Sequence, residues 1–562
     1  MKIKSVKIQN FRSIKDETLV FPDNWLISLI WPNNAWKSNF LRAIDLVLWD
    51  WYANEWKLEE YDFYCWDREN EIYIQVNFTE NENNIDFFCF KKEWTDYKPF
   101  SKYTTNEKLY YLSNENKNRF PCTYLSAERS IAKDTAFTKW SLMWKISKSF
   151  NKSINEEQKD KLKNHFDWVK QIFNWVKNFS NFEKDFKQYF QEMQSDSPYK
   201  LDIDFKAFTP NNYFKSINIL ATDPNVENNI DIEELWDWAK NLTIISLLRS
   251  YAKNFRDANW ILAIEEPEIY LHPQARKHLY DVLKDLATTW IQVIFTTHDP
   301  NFLEIWEFES IRRISKIDDD ENVWRKYSKI NSLSYQQLLD FTNSTWWPKD
   351  NTVQKVKDFY KSISNYRLTE WFFSNLIILW EWPTEELIIP KYFEADNFKF
   401  NSKWISILWA IWKSQIAKYW RFFNQFWIPV ICIFDNDNSN KKARNNTILC
   451  KCFNKSIEDF TTGLNGDFFK EIKIDNWKLI ILKKDIENVI KEDFLNNWNN
   501  EEDYNALIQD LETKPKQIFC LNMVQNIINN YWYIPKFIQS LKNIETEKIA
   551  NSSNVNLEEI PF

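Results

Sequence analysis

The chain has 562 residues, of which 44% are hydrophobic, and carries a formal net charge of −8. This length predicts two or three domains, each with its own core, and the acidic balance excludes a global basic field for nucleic acid. Seven cysteines without paired Cys-x-x-Cys spacing exclude a disulfide framework and a zinc site. Without a signal peptide or an 18-residue apolar run, we expect a cytoplasmic protein with no membrane partner.

Tryptophan and glycine occur in inverted proportions, with 31 Trp and only 2 Gly. Average usage is about 7% Gly, or roughly forty residues in a chain of this length. Trp25, Trp31, Trp36 and Trp382 lie in turns or loops where a residue without Cβ is expected. We therefore hypothesise that most of the tryptophans are glycines encoded by UGA, which some bacterial lineages translate as Gly and another genetic code as Trp. The alternative is a chain that is truly rich in tryptophan.

The first 30 residues alternate apolar and polar side chains around two turns, a pattern that predicts strand, turn and strand before a loop and a helix near Lys37. Further short strands follow between 70 and 125. The predicted segments are an N-terminal lobe at 1–140, a helical arm suited to dimerisation at 141–200, helix and strand alternation at 201–310, a polar irregular connector at 311–370, a second α/β domain at 371–520 and a helical tail at 521–562. Within the second α/β domain, strands are predicted at 376–380, 404–408 and 428–434.

A phosphate-binding loop follows the third predicted strand. Trp31-Pro32-Asn33-Asn34-Ala35-Trp36-Lys37-Ser38, followed by Asn39, becomes Gly-Pro-Asn-Asn-Ala-Gly-Lys-Ser when both tryptophans are glycine. Backbone N–H groups and the helix N-terminus would then bind the phosphates of ATP. Lys37 would reach the β- and γ-phosphates, and Ser38 would bind Mg²⁺. Two indoles would instead fill the phosphate site.

Two later strands end in polar residues that fit the same nucleotide site. The strand Ile261–Ile264 leads into Glu265, placed to hold the Mg²⁺ shell, and Glu266, placed to polarise the attacking water. The strand 292–295 ends in Thr296-Thr297-His298, where His298 suits a sensor of the γ-phosphate.

These motifs resemble ATPases of the ABC type, in the branch that contains RecF-like, SMC-like and OLD-family proteins. Arg12, within Ile8-Gln9-Asn10-Phe11-Arg12-Ser13, belongs to a segment similar to the N-terminal strand of that branch. The resemblance implies that two heads enclose ATP, and hence a homodimer or a higher homo-oligomer. Its signature loop is best matched by Leu235-Trp236-Asp237-Trp238-Ala239-Lys240-Asn241, although many relatives have Ser at the place of Asp237 and Gln at that of Lys240.

Acidic residues follow two strands of the second α/β domain. Glu381 and Glu385 come after 376–380, and Asp435 and Asp437 come after 431–434. Carboxylates that meet at the carboxyl edge of a parallel sheet suit Mg²⁺, with Mn²⁺ as an alternative. Paired ions of this kind activate water and stabilise the leaving oxygen of a phosphodiester.

The acidic pattern resembles the TOPRIM domain, and a P-loop head followed by TOPRIM resembles the OLD-family nucleases. The predicted fold class is α/β, with an ABC-type P-loop head, a helical insertion and a TOPRIM domain of Rossmann-like parallel sheet. By resemblance Glu487 is a further metal ligand and Lys514 stabilises the transition state. The implied function is an ATP-regulated DNA endonuclease in antiphage defence or DNA repair, with a UvrD-like helicase partner as in the Gabija system. The alternatives are a RecF- or SMC-like DNA-binding ATPase without nuclease activity and, if the tryptophans are real, a decayed enzyme.

Overall fold

A computed structural model describes much of the chain. The described residues are 2–31, 37–48, 58–79, 85–92, 100–105, 108–117, 120, 122–127, 150, 154–175, 180–181, 184–185, 188, 220–222, 229–231, 234–236, 239–240, 243–247, 250, 260–269, 271–288, 291–319, 322–345, 351–364, 366–410, 413–436, 443–461, 468–474, 477–498, 501–509, 511 and 513–542. Within them no helix is both long and apolar enough to cross a membrane.

Strands of the N-terminal half form two larger sheets and a short hairpin. Their bounds are β1 Ile3–Phe11, β2 Ile14–Val20, β3 Leu26–Ile30, β4 Ile72–Phe78, β5 Ile85–Lys92, β6 Phe100–Thr105, β7 Lys108–Tyr111, β8 Cys122–Leu125, β9 Leu220–Thr222, β10 Asn229–Asp231, β11 Ile261–Glu265, β12 Gln292–Thr297, β13 Ile311–Asp319 and β14 Asn322–Asn331. One sheet is antiparallel, in the order β2-β1-β4-β5-β6-β7. The other has the order β14-β13-β3-β12-β11-β8, and it is parallel except for β14 at its edge.

A third sheet forms the C-terminal domain. Its strands are β15 Leu376–Trp380, β16 Ile405–Trp409, β17 Val430–Asp435, β18 Phe469–Ile474 and β19 Trp477–Leu482. They lie in the order β16-β15-β17-β19-β18, and only the edge strand β18 is antiparallel. The strands β15 and β17 are apolar along their buried length, as expected for strands that are covered on both faces.

Helices cover the sheets. Their bounds are α1 Lys37–Leu48, α2 Asn114–Lys117, α3 Glu156–Trp175, α4 Pro273–Thr288, α5 Tyr335–Thr345, α6 Val353–Ile363, α7 Tyr366–Glu370, α8 Pro383–Ala395, α9 Lys413–Gln425, α10 Ala443–Cys452, α11 Ile457–Thr461, α12 Ile486–Trp498, α13 Glu501–Ile508, α14 Lys516–Tyr531 and α15 Lys536–Lys542. The helix α3 lies within the predicted helical arm.

The structure differs from the sequence-based boundaries at two places. The segment 311–370 is not an irregular connector, because β13 pairs with β3 and so extends the sheet of the N-terminal half. The helices α14 and α15 are not a separate tail, since Met523, Ile527 and Phe537 pack in one core with strands of the third sheet. Neither packing partner can be inferred from local periodicity. The predicted strand at 376–380 is confirmed, and those at 404–408 and 428–434 are displaced by one or two residues.

Five tryptophans have a left-handed backbone in the described residues. They are Trp25, Trp66, Trp404, Trp427 and Trp532, with φ between 51° and 58°. A side chain with Cβ is disfavoured in this region, which glycine enters without penalty. The expectation for Trp25 is confirmed. The expectation for Trp382 is wrong, because its φ of −122° and ψ of 154° are extended and open to any residue.

We predict that Trp532→Gly raises the free energy of unfolding by about 1 kcal/mol, because Trp532 ends α14 in the left-handed conformation. Its side chain is 69% exposed, so little packing is lost. Denaturant unfolding measures the change. As a control, Trp420→Gly should lower the free energy by roughly 3–5 kcal/mol, because Trp420 lies inside α9 and packs on Phe453. Destabilisation by Trp532→Gly would contradict the prediction.

Candidate functional sites

The first candidate site lies at the carboxyl edge of the parallel sheet of the N-terminal half. There β3, β12 and β11 end side by side, and α1 begins at Lys37. The side chain of Lys37 is buried, and its Nζ donates to the carbonyl oxygen of Thr297 at 3.1 Å. Burial lowers the pKa of Lys37 to about 8, against the opposing effect of Glu266, Glu268 and Glu265. An ammonium so poorly hydrated gains most from an anion such as a phosphate.

Glu265 is held by donors on both carboxylate oxygens. The Tyr124 hydroxyl donates to one oxygen at 2.5 Å, and the backbone N–H of Ala127 donates to the other at 3.1 Å. Burial, followed by the charge of Glu265, raises the pKa of Tyr124 and keeps the phenol protonated as a donor. The carboxylate of Glu265 is therefore fixed in position at the end of β11, where the sequence predicts a Mg²⁺ ligand.

The side chains of Glu266 and His298 lie next to each other. Nε2 of His298 lies 3.4 Å from Oε1 of Glu266, and both side chains are about one-third exposed. Glu266 has a left-handed backbone with φ of 42°, and its N–H donates to the carbonyl and the hydroxyl of Thr296. Such strain at a non-glycine residue costs roughly 1–3 kcal/mol and concentrates at functional sites.

Glu268 is a site residue that the sequence-based prediction missed. One of its carboxylate oxygens accepts from the Thr297 hydroxyl and from the His298 N–H, both at 2.8 Å. Its other oxygen is buried without a hydrogen-bond partner among the described residues. Burial raises the pKa of Glu268. Its place three residues after Glu265, across a proline turn, is the signal that could have identified it.

Arg12 and Asn39 connect the first strand to the helix of the predicted P-loop. The guanidinium of Arg12 contacts Oδ1 of Asp62 through two nitrogens, at 2.8 and 2.7 Å, and donates to Asn39 at 3.4 Å. The amide of Asn39 in turn donates to the Ser13 hydroxyl at 2.9 Å. The guanidinium of Arg12 therefore forms an ion pair with Asp62, and its contact with nucleotide stays a prediction.

Several predicted nucleotide-binding residues lie outside the described residues. These are Asn33, Asn34, Ala35, Trp36, Asp237 and Trp238. Trp31 is partly buried against the head core, Ser38 is half-buried on α1, and Trp236 is 78% exposed. The carbonyl of Trp236 accepts from the backbone N–H groups of Ala239 and Lys240, as at the start of a helical turn.

The second candidate site lies at the carboxyl edge of the C-terminal sheet. Glu381 follows β15, Glu385 lies in the first turn of α8, and Asp435 ends β17, the parallel neighbour of β15. Glu381 and Glu385 are 6% and 3% exposed. Burial, together with the charges of Asp435 and Glu487, raises the pKa of Glu385 to about 9. The structure therefore places Glu385 within electrostatic range of Asp435 and Glu487, with Glu381 directly after β15, while Asp437 lies outside the described residues.

Two of these acids have carboxylate oxygens that are available to a divalent cation. Glu385 and Glu487 each have one buried carboxylate oxygen without a hydrogen-bond partner in the described part of the chain. Hard cations prefer oxygen ligands, and a bound cation would relieve both the desolvation and the repulsion of like charges. The described residues alone contain no compact group of three His, Cys, Asp or Glu side chains that could hold a metal.

Lysines complete this edge at positions that differ from the prediction. Lys516, at the start of α14, lies 2.8 Å from Oε1 of Glu487, whereas Lys514 is exposed on the preceding turn. The thiol of Cys520 lies 3.1 Å from the same Glu487 oxygen. Lys413, the first residue of α9, is buried and donates to the carbonyl oxygen of Asp435. Lys516 and Lys413 were not predicted as site residues, although each is the first residue of a helix.

The two edges define an ATPase-type head joined to a TOPRIM domain. Residues 1–175 and 98–303 match the AAA ATPase domain, and residues 372–437 match the TOPRIM domain of proteins like the overcoming lysogenization defect protein. The two ranges of the AAA ATPase match together cover residues 1–303, which is more than half of the chain. The chain therefore belongs to the AAA ATPase domain family. With the parallel sheets, these matches confirm the predicted fold class.

Curated relatives are similar to parts of the chain. OLD nuclease of Thermus scotoductus is 26% identical over 350 residues, a match that covers 57% of this chain and 63% of the relative. Endonuclease GajA of Bacillus cereus is 24% identical over 255 residues, covering 42% and 36%. Old nuclease of Escherichia phage P2 is 26% identical over 183 residues, covering 32% and 28%. The matches thus span less than two thirds of each relative.

The raised pKa of Glu385 makes stability depend on pH. Between pH 4.5 and about 9 the unfolded chain has released this proton while the folded chain retains it, so stability falls as pH rises. The slope is about 1.4 kcal/mol per pH unit at most, and we expect a total of a few kcal/mol. Denaturant unfolding in EDTA at several pH values measures it.

The matched variants are Glu385→Gln, which should flatten the pH profile, and Glu394→Gln, an exposed residue on the same helix, which should not. Added Mg²⁺ should restore stability at pH 8 in the unmodified chain and in Glu394→Gln. Parallel profiles for all three proteins would contradict the assignment.

Proposed function

We propose that the chain is an ATP-regulated DNA endonuclease that uses divalent metal ions. The observation that carries this proposal is a group of three interacting carboxylates at the carboxyl edge of the TOPRIM sheet, namely the buried Glu385 and the half-buried Asp435 and Glu487. Its pairing with an AAA ATPase domain and the names of the three curated relatives, all nucleases, support it. DNA is the substrate that this combination fits best.

In the head, Lys37 and the preceding loop 31–36 bind the phosphates of ATP. Ser38 and Glu265 hold Mg²⁺, and Arg12, Asn39 and the 236–238 loop contribute to the nucleotide site. Glu266 orients the attacking water, and His298, 3.4 Å from Glu266, responds to the γ-phosphate. Glu268 keeps His298 in place through its backbone N–H.

In the TOPRIM domain, Glu381, Glu385, Asp435, Asp437 and Glu487 hold Mg²⁺ or Mn²⁺. Such ions activate water and stabilise the leaving oxygen of a phosphodiester. Lys514 was predicted to stabilise the transition state, and Lys516 is the stronger candidate because it reaches Glu487. Lys413 fixes the end of β17 through the carbonyl of Asp435.

The proposed setting is cytoplasmic defence against foreign DNA, with DNA repair as its alternative. Two heads that enclose ATP form a homodimer or a higher homo-oligomer, and the 141–200 arm contributes to that interface. A UvrD-like helicase is the proposed partner protein. These proposals rest on the resemblance to OLD-family proteins and on the ABC-type arrangement of the motifs.

We further propose that most tryptophans of the printed sequence are glycine in the native protein. The left-handed backbone of Trp25, Trp66, Trp404, Trp427 and Trp532 supports this proposal. So does Trp36, because an indole directly before Lys37 would fill the phosphate site.

We expect the intact native protein to weigh less than 68.6 kDa by the Trp–Gly difference at each recoded position. Mass spectrometry of protein from the source cells, together with the codons of the gene, measures this. UGG codons and the full mass would contradict the recoding and, with it, nucleotide binding by the loop 31–36.

For the nuclease, Glu381→Ala and Asp435→Ala should each lower the rate of DNA nicking on the order of a hundredfold, since even residues that only support metal ligands contribute 10–100-fold. Plasmid nicking in Mg²⁺ and in Mn²⁺ measures the rate. ATP hydrolysis should stay within twofold, because the nucleotide site lies in the other domain.

Glu394→Ala is the matched control on α8 and should cut normally. Lys516→Ala and Lys514→Ala form a second matched pair, in which only the former should slow nicking. Unchanged nicking in both acid variants would remove the TOPRIM site from the mechanism and leave a DNA-binding ATPase.

A further inference from the structure

Two adjacent arginines on β13 are both buried but bind different domains. Arg312 donates to the carbonyl oxygens of Glu309 at 2.6 Å, Ile311 at 3.1 Å and Val20 at 2.7 Å, all within the head. Arg313 instead donates to four carbonyl oxygens that lie beyond the head. They belong to Phe372 at 3.1 Å, Ser374 at 3.0 Å, Phe426 at 3.2 Å and Trp427 at 3.3 Å.

The guanidinium of Arg313 is buried, so it depends on these four carbonyl oxygens for its hydrogen bonds. Desolvation lowers the pKa of Arg313 to about 10, and no charged group in the described part of the chain offsets it. A buried guanidinium must have its donors satisfied, and here backbone carbonyls of the TOPRIM domain accept from it. Removal of the guanidinium while the two domains stay packed would leave these buried carbonyl oxygens without this donor, which is unfavourable.

The four carbonyls lie before the strands that carry the acids. Phe372 and Ser374 precede β15, which ends next to Glu381, and Phe426 and Trp427 precede β17, which ends at Asp435. Strands of five or six residues span roughly 17–20 Å. Arg313 therefore holds the amino ends of the two strands whose carboxyl ends form the metal site.

The helix α9 provides a second connection. Its last turn leads into Phe426 and Trp427, where the positive guanidinium is favoured by the helix dipole. Its first residue, Lys413, contacts the carbonyl of Asp435 at the opposite edge of the sheet. If α9 moves as a rigid element, a displacement of its Arg313 end reaches Asp435.

On the head side, Arg313 lies beside the strand that leads to the phosphate-binding loop. It pairs in register with Ile30, the last residue of β3, and Lys37 follows seven residues later. Ile30 packs in one core with Ile377 and Val430 of the TOPRIM sheet, whereas Ile27 and Leu29 belong to the head core. The end of β3 therefore contacts both the nucleotide edge and the nuclease sheet.

We infer that Arg313 is a positioning residue that couples the nucleotide state of the head to the spacing of the nuclease acids. Nucleotide at the β3–α1 edge shifts the end of β3 and, through Arg313, the amino ends of β15 and β17. The inference deepens the proposed function, because it names how ATP regulates that same site.

The test compares Arg313→Lys and Arg313→Met with Arg312→Lys. All variants are made in the full chain, with Trp or Gly at each tryptophan position as mass spectrometry establishes it. Arg312 is a matched control, with the same residue type, burial and strand but partners within the head. The readouts are ATP hydrolysis, DNA nicking with and without ATP, and hydrogen exchange of 372–381 and 426–435 with and without ATP.

We expect the unmodified chain and Arg312→Lys to change exchange in both segments when ATP binds. In the folded Arg313 variants this change should shrink at least fivefold, and the ratio of nicking rates with and without ATP should approach one. The kcat of ATP hydrolysis should stay within twofold.

Three outcomes would overturn the inference. The ATP response could persist in Arg313→Lys, it could be lost equally in Arg312→Lys, or the two segments of the unmodified chain could fail to respond to ATP. The last of these outcomes is measured on the unmodified chain, so it tests the inference even if the variants fail to fold. If the exchange response depends on Arg313 but no DNA is cut, the coupling stands and the nuclease proposal fails. If DNA is cut with an ATP response independent of Arg313, only the coupling fails.

Discussion

Parallel strands end at a common edge, and in this chain two such edges collect charged side chains in places with little water. At the edge of the head, burial lowers the pKa of Lys37 to about 8, and at the edge of the TOPRIM domain burial raises that of Glu385 to about 9. Each shift disfavours the charged form that the chemistry needs. A bound phosphate would favour the charged form of Lys37, and a bound cation would favour that of Glu385. The two domains are thus electrostatic counterparts, one suited to an anion and the other to cations.

The two edges belong to one continuous structure. The segment after the head forms β13 beside β3, so the strand that leads to Lys37 has the TOPRIM domain as its packing partner. A core that includes Ile30 and Ile377 crosses the boundary, and Arg313 adds hydrogen bonds at its rim. This arrangement gives the nucleotide edge a physical route to the acids, because packed cores transmit small displacements.

Much of the site was predictable because its residues follow apolar strands. Glu265, Glu266, His298, Glu381 and Asp435 were each placed by a strand that the sequence makes evident, and the structure brings them to the two edges. Contacts between distant segments were not predictable. The pairing of β13 with β3 leaves no mark in local periodicity. The resemblance indicated Lys514, but the helix α14 begins after Pro515, and its first residue, Lys516, forms the ion pair with Glu487. Trp382 was expected at a glycine-type backbone, but turn residues also adopt extended conformations.

The central claim is that the TOPRIM acids form a binding site for divalent cations. Crystals soaked in Mn²⁺ and measured at the manganese absorption edge test it most directly. The account predicts an anomalous peak coordinated by oxygens of Glu385, Asp435 and Glu487, and its loss in Asp435→Ala. Ordered acids without a peak, or manganese bound only elsewhere, would contradict the account.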